Sequence, residues 1–398
     1  MNYEDRKLKI GDYDLYEEHK NFEYKDKSQA FNQLILISII LMFYLNWSTA
    51  EIHNRLVGVL PLLTAVMLAV LVLLNIKIIY KDNYQFFLIM LIPIITLIGM
   101  IVNGSNLGGL FVIVNFSLML LVSGSIKITK SFILTLSLLF MMFFLYWIIL
   151  SPGGFNSNSI GLVAFTTYIG SSFFLRSIKG KIMRESFFTI ITFLAILAII
   201  NSQSRSTIIG LIIFLLLSYV IPKKIWLNKK ALKLICLFIT IGSIGFVMFY
   251  LYMWENNILF IIEGTAKKFF SGREAIWNEL WSAFKNNIIF GIGSGYNLQS
   301  HSNLNVHNSM YNILVIYGLP IFILTFIQIW RRFSYLCFDK ERNKFFSLSM
   351  AGFISIAIQS FFENTLISVN FIPIILFLLI VTNSTCNQNT AKRKGGRN

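Results

Sequence analysis

The sequence predicts an all-α protein, a polytopic membrane bundle of about 12 transmembrane helices. Of its 398 residues, 56% are hydrophobic and 13% are charged, and the mean hydropathy is +0.69. The apolar residues form long runs separated by short polar segments, as in helices that cross a bilayer. This composition excludes a soluble enzyme, a disordered chain and a secreted disulfide scaffold, and the runs do not alternate as the strands of a β-barrel would.

The apolar runs define the elements in chain order. Several are shorter than the roughly 20 residues of a perpendicular span, which helix tilt or burial within the protein can absorb, so the count is open by one hairpin. The predicted spans are residues 31–45, 56–74, 86–102, 107–126, 132–150, 159–175, 186–204, 206–221, 234–253, 308–330, 345–362 and 371–381.

The basic residues orient this bundle. With the N-terminus in the cytoplasm, 28 of the 34 Lys and Arg residues fall on the cytoplasmic side, as the positive-inside rule requires, so both termini are predicted to be cytoplasmic. Residues 1–30 and the basic residues 383–398 then form cytoplasmic tails on a transmembrane domain of residues 31–382. The net charge of +16 follows from this topology, so we expect the lipid bilayer as a partner and no nucleic acid.

A long outer-face loop, residues 254–307, lies between spans nine and ten. Ser271 and Glu274 have the spacing of a capping box, which predicts an amphipathic helix with Ser271 as its N-cap. Its apolar face would carry Ile276, Trp277, Leu280, Trp281 and Phe284.

Arg273 violates two local rules in this helix. It projects from the apolar face, and it lies in the first turn, where the macrodipole disfavours a cation. A bound phosphate would satisfy both, because helix N-terminal amides and a guanidinium converge on such an anion. The alternative is an ion pair with Glu255, Glu263 or Glu363.

Two further outer-face residues are candidates. Arg205 lies in the tight connection between spans seven and eight, where it either binds an anion or snorkels to the interface. His307 precedes span ten, and a helix N-terminus disfavours its protonated form, which suits a general base; the alternative is a structural capping histidine.

Several other chemistries are disfavoured. The loop offers His301 and His307 without a carboxylate pair or cysteine at ligand spacing, so we predict no metal site, and we predict no cofactor. Gly291–Gly295 lacks the Lys-Ser/Thr of a phosphate-binding loop and is interpreted as a flexible turn. The apolar cores contain no Asp, Glu or Lys, and only Arg205 approaches one, which disfavours a coupled transporter.

Four short motifs in fixed order, within about residues 201–330, resemble the O-antigen ligase and polymerase superfamily. They are Ser204-Arg205-Ser206, Gly272-Arg273 with Trp277, Gly291-Ile292-Gly293-Ser294-Gly295, and Val306-His307-Asn308.

The resemblance implies a metal-independent membrane glycosyltransferase that uses a glycan linked to undecaprenyl pyrophosphate, at the outer face of the bacterial cytoplasmic membrane. It implies that Arg205 and Arg273 bind the pyrophosphate and that His307 is catalytic near the acceptor. The resemblance also implies a chain-length regulator and a flippase as partners. Richness in Asn, Ile and Lys hints at an A+T-rich genome and favours a polysaccharide polymerase. The alternatives are a ligase to a lipid or protein acceptor, or a flippase or exporter of lipid-linked oligosaccharide.

Overall fold

The computed structural model describes residues 29–79, 83–150, 152–226, 228–256, 272–299, 305–334 and 344–384. This part of the chain is all-helical. Its helices are α1 Gln29–Asn46, α2 Ala50–Leu56, α3 Leu60–Leu74, α4 Ile76–Ile79, α5 Asn83–Asn103, α6 Leu107–Ser125, α7 Lys130–Leu150, α8 Ser157–Leu175, α9 Lys181–Asn201, α10 Arg205–Tyr219, α11 Lys223–Trp226, α12 Lys229–Glu255, α13 Arg273–Lys285, α14 Ser309–Tyr317, α15 Leu319–Ser334, α16 Lys344–Gln359 and α17 Ile372–Ser384, with a 3-10 turn at Val369–Phe371 before α17.

The described residues contain seven helices long and apolar enough to cross a membrane, or eight if the bent pair α2 and α3 is one span. The all-helical class, with several candidate membrane spans, is therefore confirmed. A count of about 12 is reached only if the shorter helices α10, α16 and α17 and the broken pair α14 and α15 also cross.

The predicted span 56–74 begins later than expected. The helix axis bends by 67° between α2 and α3, and α3 begins at Leu60 with Pro61 in its first turn. Proline has no backbone N–H and is tolerated there, whereas inside a continuous helix it would remove a hydrogen bond. The chain therefore turns before Pro61 instead of running straight.

The predicted span 308–330 is also not one helix, because it breaks at Gly318. Gly318 has φ 88° and ψ 169°, a conformation that is essentially restricted to glycine. The break leaves two carbonyls without helical partners, and a neighbouring segment pairs with them: Ile292 N–H donates to Val315 O at 2.8 Å, and Gly293 N–H donates to Ile316 O at 3.0 Å. Irregular backbone within a membrane protein requires such partners.

The two halves of this broken helix run in different directions. Ser309, at the start of α14, donates from its N–H to Ser360 O, and Tyr317, at its end, donates to Gly109 O. Both ends of α14 therefore lie at one end of the bundle. Arg332, near the end of α15, donates to Ser123 O, so α15 runs along α6 to the other end. The 14 residues from Gly109 to Ser123 place that end about 21 Å away at 1.5 Å per residue.

We call these the site end, where Asn158, Arg205, His307 and Glu363 lie, and the opposite end, where Ser123, Arg176 and Arg332 lie. Helix α8 links them at the centre of the bundle, with 14 of its 19 residues buried. It packs against α7, α9, α10, α16 and α17.

One buried charge departs from the sequence interpretation. The basic-residue pattern places Arg332 in a cytoplasmic loop, but its side chain is buried at the end of α15, with 8% of the residue exposed. Its guanidinium donates to Ser123 O at 2.8 Å and to Leu379 O at 3.1 Å. Ser123 lies in the last turn of α6 and Leu379 lies in the C-terminal half of α17, where the helix dipoles favour a cation, so burial is possible there.

Candidate functional site

Glu363 is the centre of a polar cluster at the site end. Its Oε1 accepts hydrogen bonds from Arg273 Nη2 at 2.8 Å and from Asn158 Nδ2 at 3.1 Å. Its Oε2 lies 2.9 Å from His307 Nδ1. The side chains of Glu363, Arg273 and His307 are 10%, 19% and 24% exposed, so water reaches the cluster but does not surround it.

Arg273 begins α13, and the helix starts one residue later than the predicted capping box. The N-cap is Gly272, which has φ 87°, and Glu274 Oε1 accepts the Gly272 N–H at 3.1 Å. Ser271 lies outside the described residues. Glycine adopts this left-handed conformation without steric cost, so the helix can begin after it with Glu274 still bonding back to the cap.

The predicted apolar face of α13 is confirmed. Its buried members are Ile276, Trp277, Leu280 and Phe284, and Trp281 is half-buried. Trp277 Nε1 donates to Val306 O at 2.6 Å, and Tyr311 donates its hydroxyl to Trp277 O at 2.9 Å. Helix α13, which carries Arg273, is thereby hydrogen-bonded to residues that precede and follow His307 in the sequence.

His307 has a left-handed backbone with φ 53°, and its N–H donates to Asn305 Oδ1 at 3.2 Å. The N-cap of α14 is the next residue, Asn308, whose Oδ1 accepts the Tyr311 N–H at 2.9 Å. The alternative reading of His307 as the capping residue is therefore wrong. A non-glycine residue in this conformation costs roughly 1–3 kcal/mol, and such residues cluster at functional sites.

The surroundings of Asn308 hold this strained segment in place. Asn308 is fully buried; its N–H donates to Asn364 Oδ1 at 3.1 Å and its Nδ2 donates to Phe361 O at 3.1 Å. These partners flank Glu363 in sequence. The segment 305–309 is thus fixed against the same turn that presents the Glu363 carboxylate.

Arg273 forms one of the ion pairs considered as its alternative role. Glu255 is exposed at the end of α12, Glu263 lies outside the described residues, and Glu363 is the observed partner. The bond uses Nη2, one of the three guanidinium nitrogens. The carboxylate therefore offsets the unfavourable position of the cation in the first helical turn.

Arg205 also lies at the site end, at the start of α10. It is the first residue of α10 and is half-buried. Ser204 packs tightly against Gly161 of α8, one turn beyond Asn158, and Gln359 Nε2 donates to Ser206 Oγ at 3.4 Å. The hydrogen-bonded cluster thus joins Arg273 and His307 through Glu363. Arg205 lies at the same end of the bundle, and its neighbours Ser204 and Ser206 contact α8 and α16.

The sequence analysis names Glu363 only as one of three possible ion-pair partners of Arg273, and it does not name Asn158. The position of Glu363 in the sequence marks it as a candidate site residue, since it is the only charged residue between Lys344 and Lys392. A lone carboxylate at the end of an apolar span calls for a partner. Asn158 has no comparable signal, because a polar residue near a helix start is common.

The glycine segment, residues 291–295, crosses close to the backbone of residues 315–318 and is not a flexible turn. Gly291 and Gly293 have φ values of 70° and 80°. Asn103 Nδ2 donates to Phe290 O and Gly291 O at 2.9 and 2.6 Å, and a Cβ on Gly291 would overlap Ile316 O. The segment therefore supplies hydrogen-bond partners to the backbone at the break between α14 and α15.

The chain beyond the glycine segment is bonded to α13. Glu279 Oε1 accepts the hydroxyl of Tyr296 at 3.3 Å and the N–H of Gln299 at 2.7 Å. Burial and the Glu279 carboxylate raise the pKa of Tyr296, so the hydroxyl stays protonated as a donor at physiological pH. This contact ties the outer surface of α13 to the glycine segment.

Potential metal ligands are sparse in the described part of the chain. Within these residues, no group of three or more His, Cys, Asp or Glu side chains lies close enough together to hold a metal ion. His301, the second histidine considered, lies outside them.

Residues 190–326 match the family model described as O-antigen ligase. This match supports the O-antigen ligase/polymerase superfamily for this segment of the chain. The predicted resemblance is confirmed, and the O-antigen ligase region contains Arg205, Arg273 and His307. Glu363 and Asn158 lie outside its bounds, and it is the fold that brings them to it. No curated protein and no solved structure matches the chain.

Proposed function

We propose that this protein is a polysaccharide polymerase. It transfers a glycan from an undecaprenyl-pyrophosphate donor to a lipid-linked repeat-unit acceptor at the outer face of the bacterial cytoplasmic membrane. The observation that carries the proposal is the Arg273–Glu363–His307 cluster, two members of which lie in the O-antigen ligase region.

His307 acts as the general base in this scheme. A carboxylate at Nδ1 favours the tautomer that donates from Nδ1, which leaves the lone pair on Nε2 to accept the proton of the acceptor hydroxyl. Glu363 also stabilises the imidazolium that forms, as the carboxylate does in other His–carboxylate pairs. The strained backbone of His307 and the buried Asn308 fix the ring for this role.

The arginines act on the leaving group. As the acceptor oxygen forms its bond to C1 of the donor sugar, the bond from C1 to the phosphate oxygen breaks and the pyrophosphate gains negative charge. Preorganised cations contribute most where charge develops, and Arg273 and Arg205 supply two of them. Direct displacement inverts C1, and the activated donor drives the reaction without a metal ion or cofactor.

The membrane orientation completes the scheme. With both termini in the cytoplasm, the site end faces outward, where no ATP is present and a preactivated lipid donor is required. The undecaprenyl chain of each substrate stays in the bilayer beside the bundle.

A ligase is the second candidate, and the description of the matching family model favours it. A ligase passes the glycan to a lipid or protein acceptor by the same chemistry at the same site. Polymerase is preferred on the Asn, Ile and Lys content, because many bacteria with A+T-rich genomes are Gram-positive and lack a lipopolysaccharide core as acceptor.

Deletion of the gene, followed by gel analysis of surface polysaccharide, tests the proposal. A polymerase predicts loss of long chains while a single repeat unit is still displayed. Loss of every surface-attached unit, with the full-length chain retained on the lipid carrier, identifies a ligase. Accumulation of single units on the cytoplasmic side identifies a flippase.

A further inference from the structure

A charged cavity lies at the opposite end of the bundle, away from the Arg273–Glu363–His307 cluster. Its volume is about 300 Å³, and Arg176, Arg184, Ser218 and Trp226 line it together with the first turn of α16. The Ser218 hydroxyl oxygen is buried and has no hydrogen-bond partner within the described residues. The cavity therefore offers two guanidinium groups and a hydroxyl to a ligand.

The arginines of this cavity are held in place by their neighbours. The Arg176 guanidinium carbon lies 4.6 Å from the Phe188 ring centroid and 4.4 Å from that of Tyr219. Glu185 Oε1 lies 3.6 Å from Arg176 Nη1 and 3.0 Å from Arg184 Nη2. Because one carboxylate faces two guanidinium groups, this trio retains one positive charge.

An apolar groove adjoins the cavity between α9 and α10. Its volume is about 500 Å³, and Phe188, Tyr219 and Glu185, which contact the arginines, also line the groove. Its rim is open to the side of the bundle, since Phe193 is 58% exposed and Val220 is 66% exposed. A ligand seated here would place an apolar chain between the two helices and a polar group at Arg176.

We propose that the cavity and the groove together bind one anionic phospholipid. The phosphate accepts hydrogen bonds from Arg176, Arg184 and Ser218, and an acyl chain occupies the groove. Planar guanidinium groups suit phosphate, and basic cavities between membrane helices at the cytoplasmic face bind anionic headgroups. This site is independent of the glycosyl-transfer proposal, because it lies at the far ends of α9 and α10 from Arg205.

Native mass spectrometry of the full-length detergent-solubilised protein tests the proposal. The protein is titrated with phosphatidylglycerol or with phosphatidylcholine of the same acyl chains. We expect at least a fivefold excess of singly bound phosphatidylglycerol. Arg184→Gln should abolish that excess by removing one phosphate donor, and Thr189→Trp should abolish it by filling the groove while both arginines remain. Arg55→Gln, an exposed arginine outside this site, is the matched control and should keep it.

Three results would overturn the lipid assignment. Equal binding of phosphatidylcholine would show that charge is not recognised. Unchanged phosphatidylglycerol binding in both variants would place the lipid elsewhere. Displacement of the lipid by millimolar inorganic phosphate, with Thr189→Trp without effect, would identify a site for a soluble phosphate. Thermal unfolding of each variant without added lipid verifies that the protein is folded.

Discussion

Nδ1 of His307 and Oε2 of Glu363 lie 2.9 Å apart, although 56 positions separate the two residues in the sequence. The same carboxylate contacts Arg273 through its other oxygen. One acidic side chain thus joins the proposed base to a proposed phosphate ligand, and changes at Glu363 should affect both roles.

Glu363→Gln should reduce glycan transfer by roughly 10²–10⁴-fold, the range for loss of general acid–base catalysis. The amide still accepts a hydrogen bond but carries no charge to stabilise the imidazolium. Transfer from purified lipid-linked donor is measured against pH. Glu255→Gln, an exposed carboxylate at the end of α12, is the control. Wild-type rates and an unchanged pH profile in Glu363→Gln would remove Glu363 from the mechanism.

The helical class, the apolar face of α13 and the grouping of His307 with Arg273 could be predicted from the sequence. Each depends on local periodicity or on membrane topology, which a single chain reveals. The partnership with Glu363 could not be predicted, because it depends on which helix ends meet. Three acidic residues are candidate partners of Arg273, and the isolation of Glu363 in an uncharged stretch does not by itself show which helix end it meets.

Two other features could not be predicted from the sequence for a different reason. Gly318 resembles any glycine within an apolar run, and only the close approach of residues 289–293 shows why a left-handed break is required there. The hydropathy pattern places Arg332 in a loop, because hydropathy cannot show that carbonyls of α6 and α17 accept hydrogen bonds from its guanidinium.

His307→Gln should abolish transfer and leave donor binding largely intact, because a base acts on the proton of the acceptor and not on the phosphate. His307→Asn distinguishes the role of the imidazole as a base from the role of the residue in holding the left-handed backbone. Asparagine tolerates the left-handed conformation, so this variant should unfold at the wild-type temperature and still be inactive. Donor retention on the purified protein and polymer length on gels are measured. Near-normal polymerisation by either variant would exclude His307 as the base.

Arg273→Lys should lose much of the activity and Arg273→Ala nearly all of it, because lysine keeps the charge without the planar donor fork. Arg273→Ala also removes the arginine partner of Glu363, which then contacts only Asn158 and His307. Breaking a buried ion pair in this way costs about 3–5 kcal/mol. The double variant Arg273→Ala/Glu363→Gln removes that penalty.

Thermal unfolding and donor binding are measured for both Arg273 variants and for the double variant. If Arg273 binds pyrophosphate, the double variant regains stability but not donor affinity. Arg55→Lys, which changes an exposed arginine paired with Glu51, is the control and should behave as wild type. Recovery of donor affinity in the double variant would leave Arg273 with a structural role alone.

A cysteine at Asn297 should react with an impermeant thiol reagent added to intact cells, and one at Lys230 should not. Both positions are exposed, and the positive-inside rule places them on opposite sides of the membrane. The three native cysteines are replaced beforehand, and labelling after cell lysis shows that both new thiols are reactive. The reverse pattern would place the site end in the cytoplasm and exclude the outer-face reaction.

Gly318→Ala and Gly291→Ala should each destabilise the protein by about 3 kcal/mol or more, and both should abolish transfer. At each position a Cβ would overlap a backbone carbonyl across the crossing, and φ is positive, so the backbone cannot relax without opening the break. Gly245→Ala is the matched control. A Cβ there meets nothing within 4 Å and the residue is in the middle of α12, so its effect should stay within about 1 kcal/mol. Thermal unfolding in detergent measures all three. Normal stability of Gly318→Ala would mean that the tenth span can form a continuous helix, and the position of α14 across the site end would then be wrong.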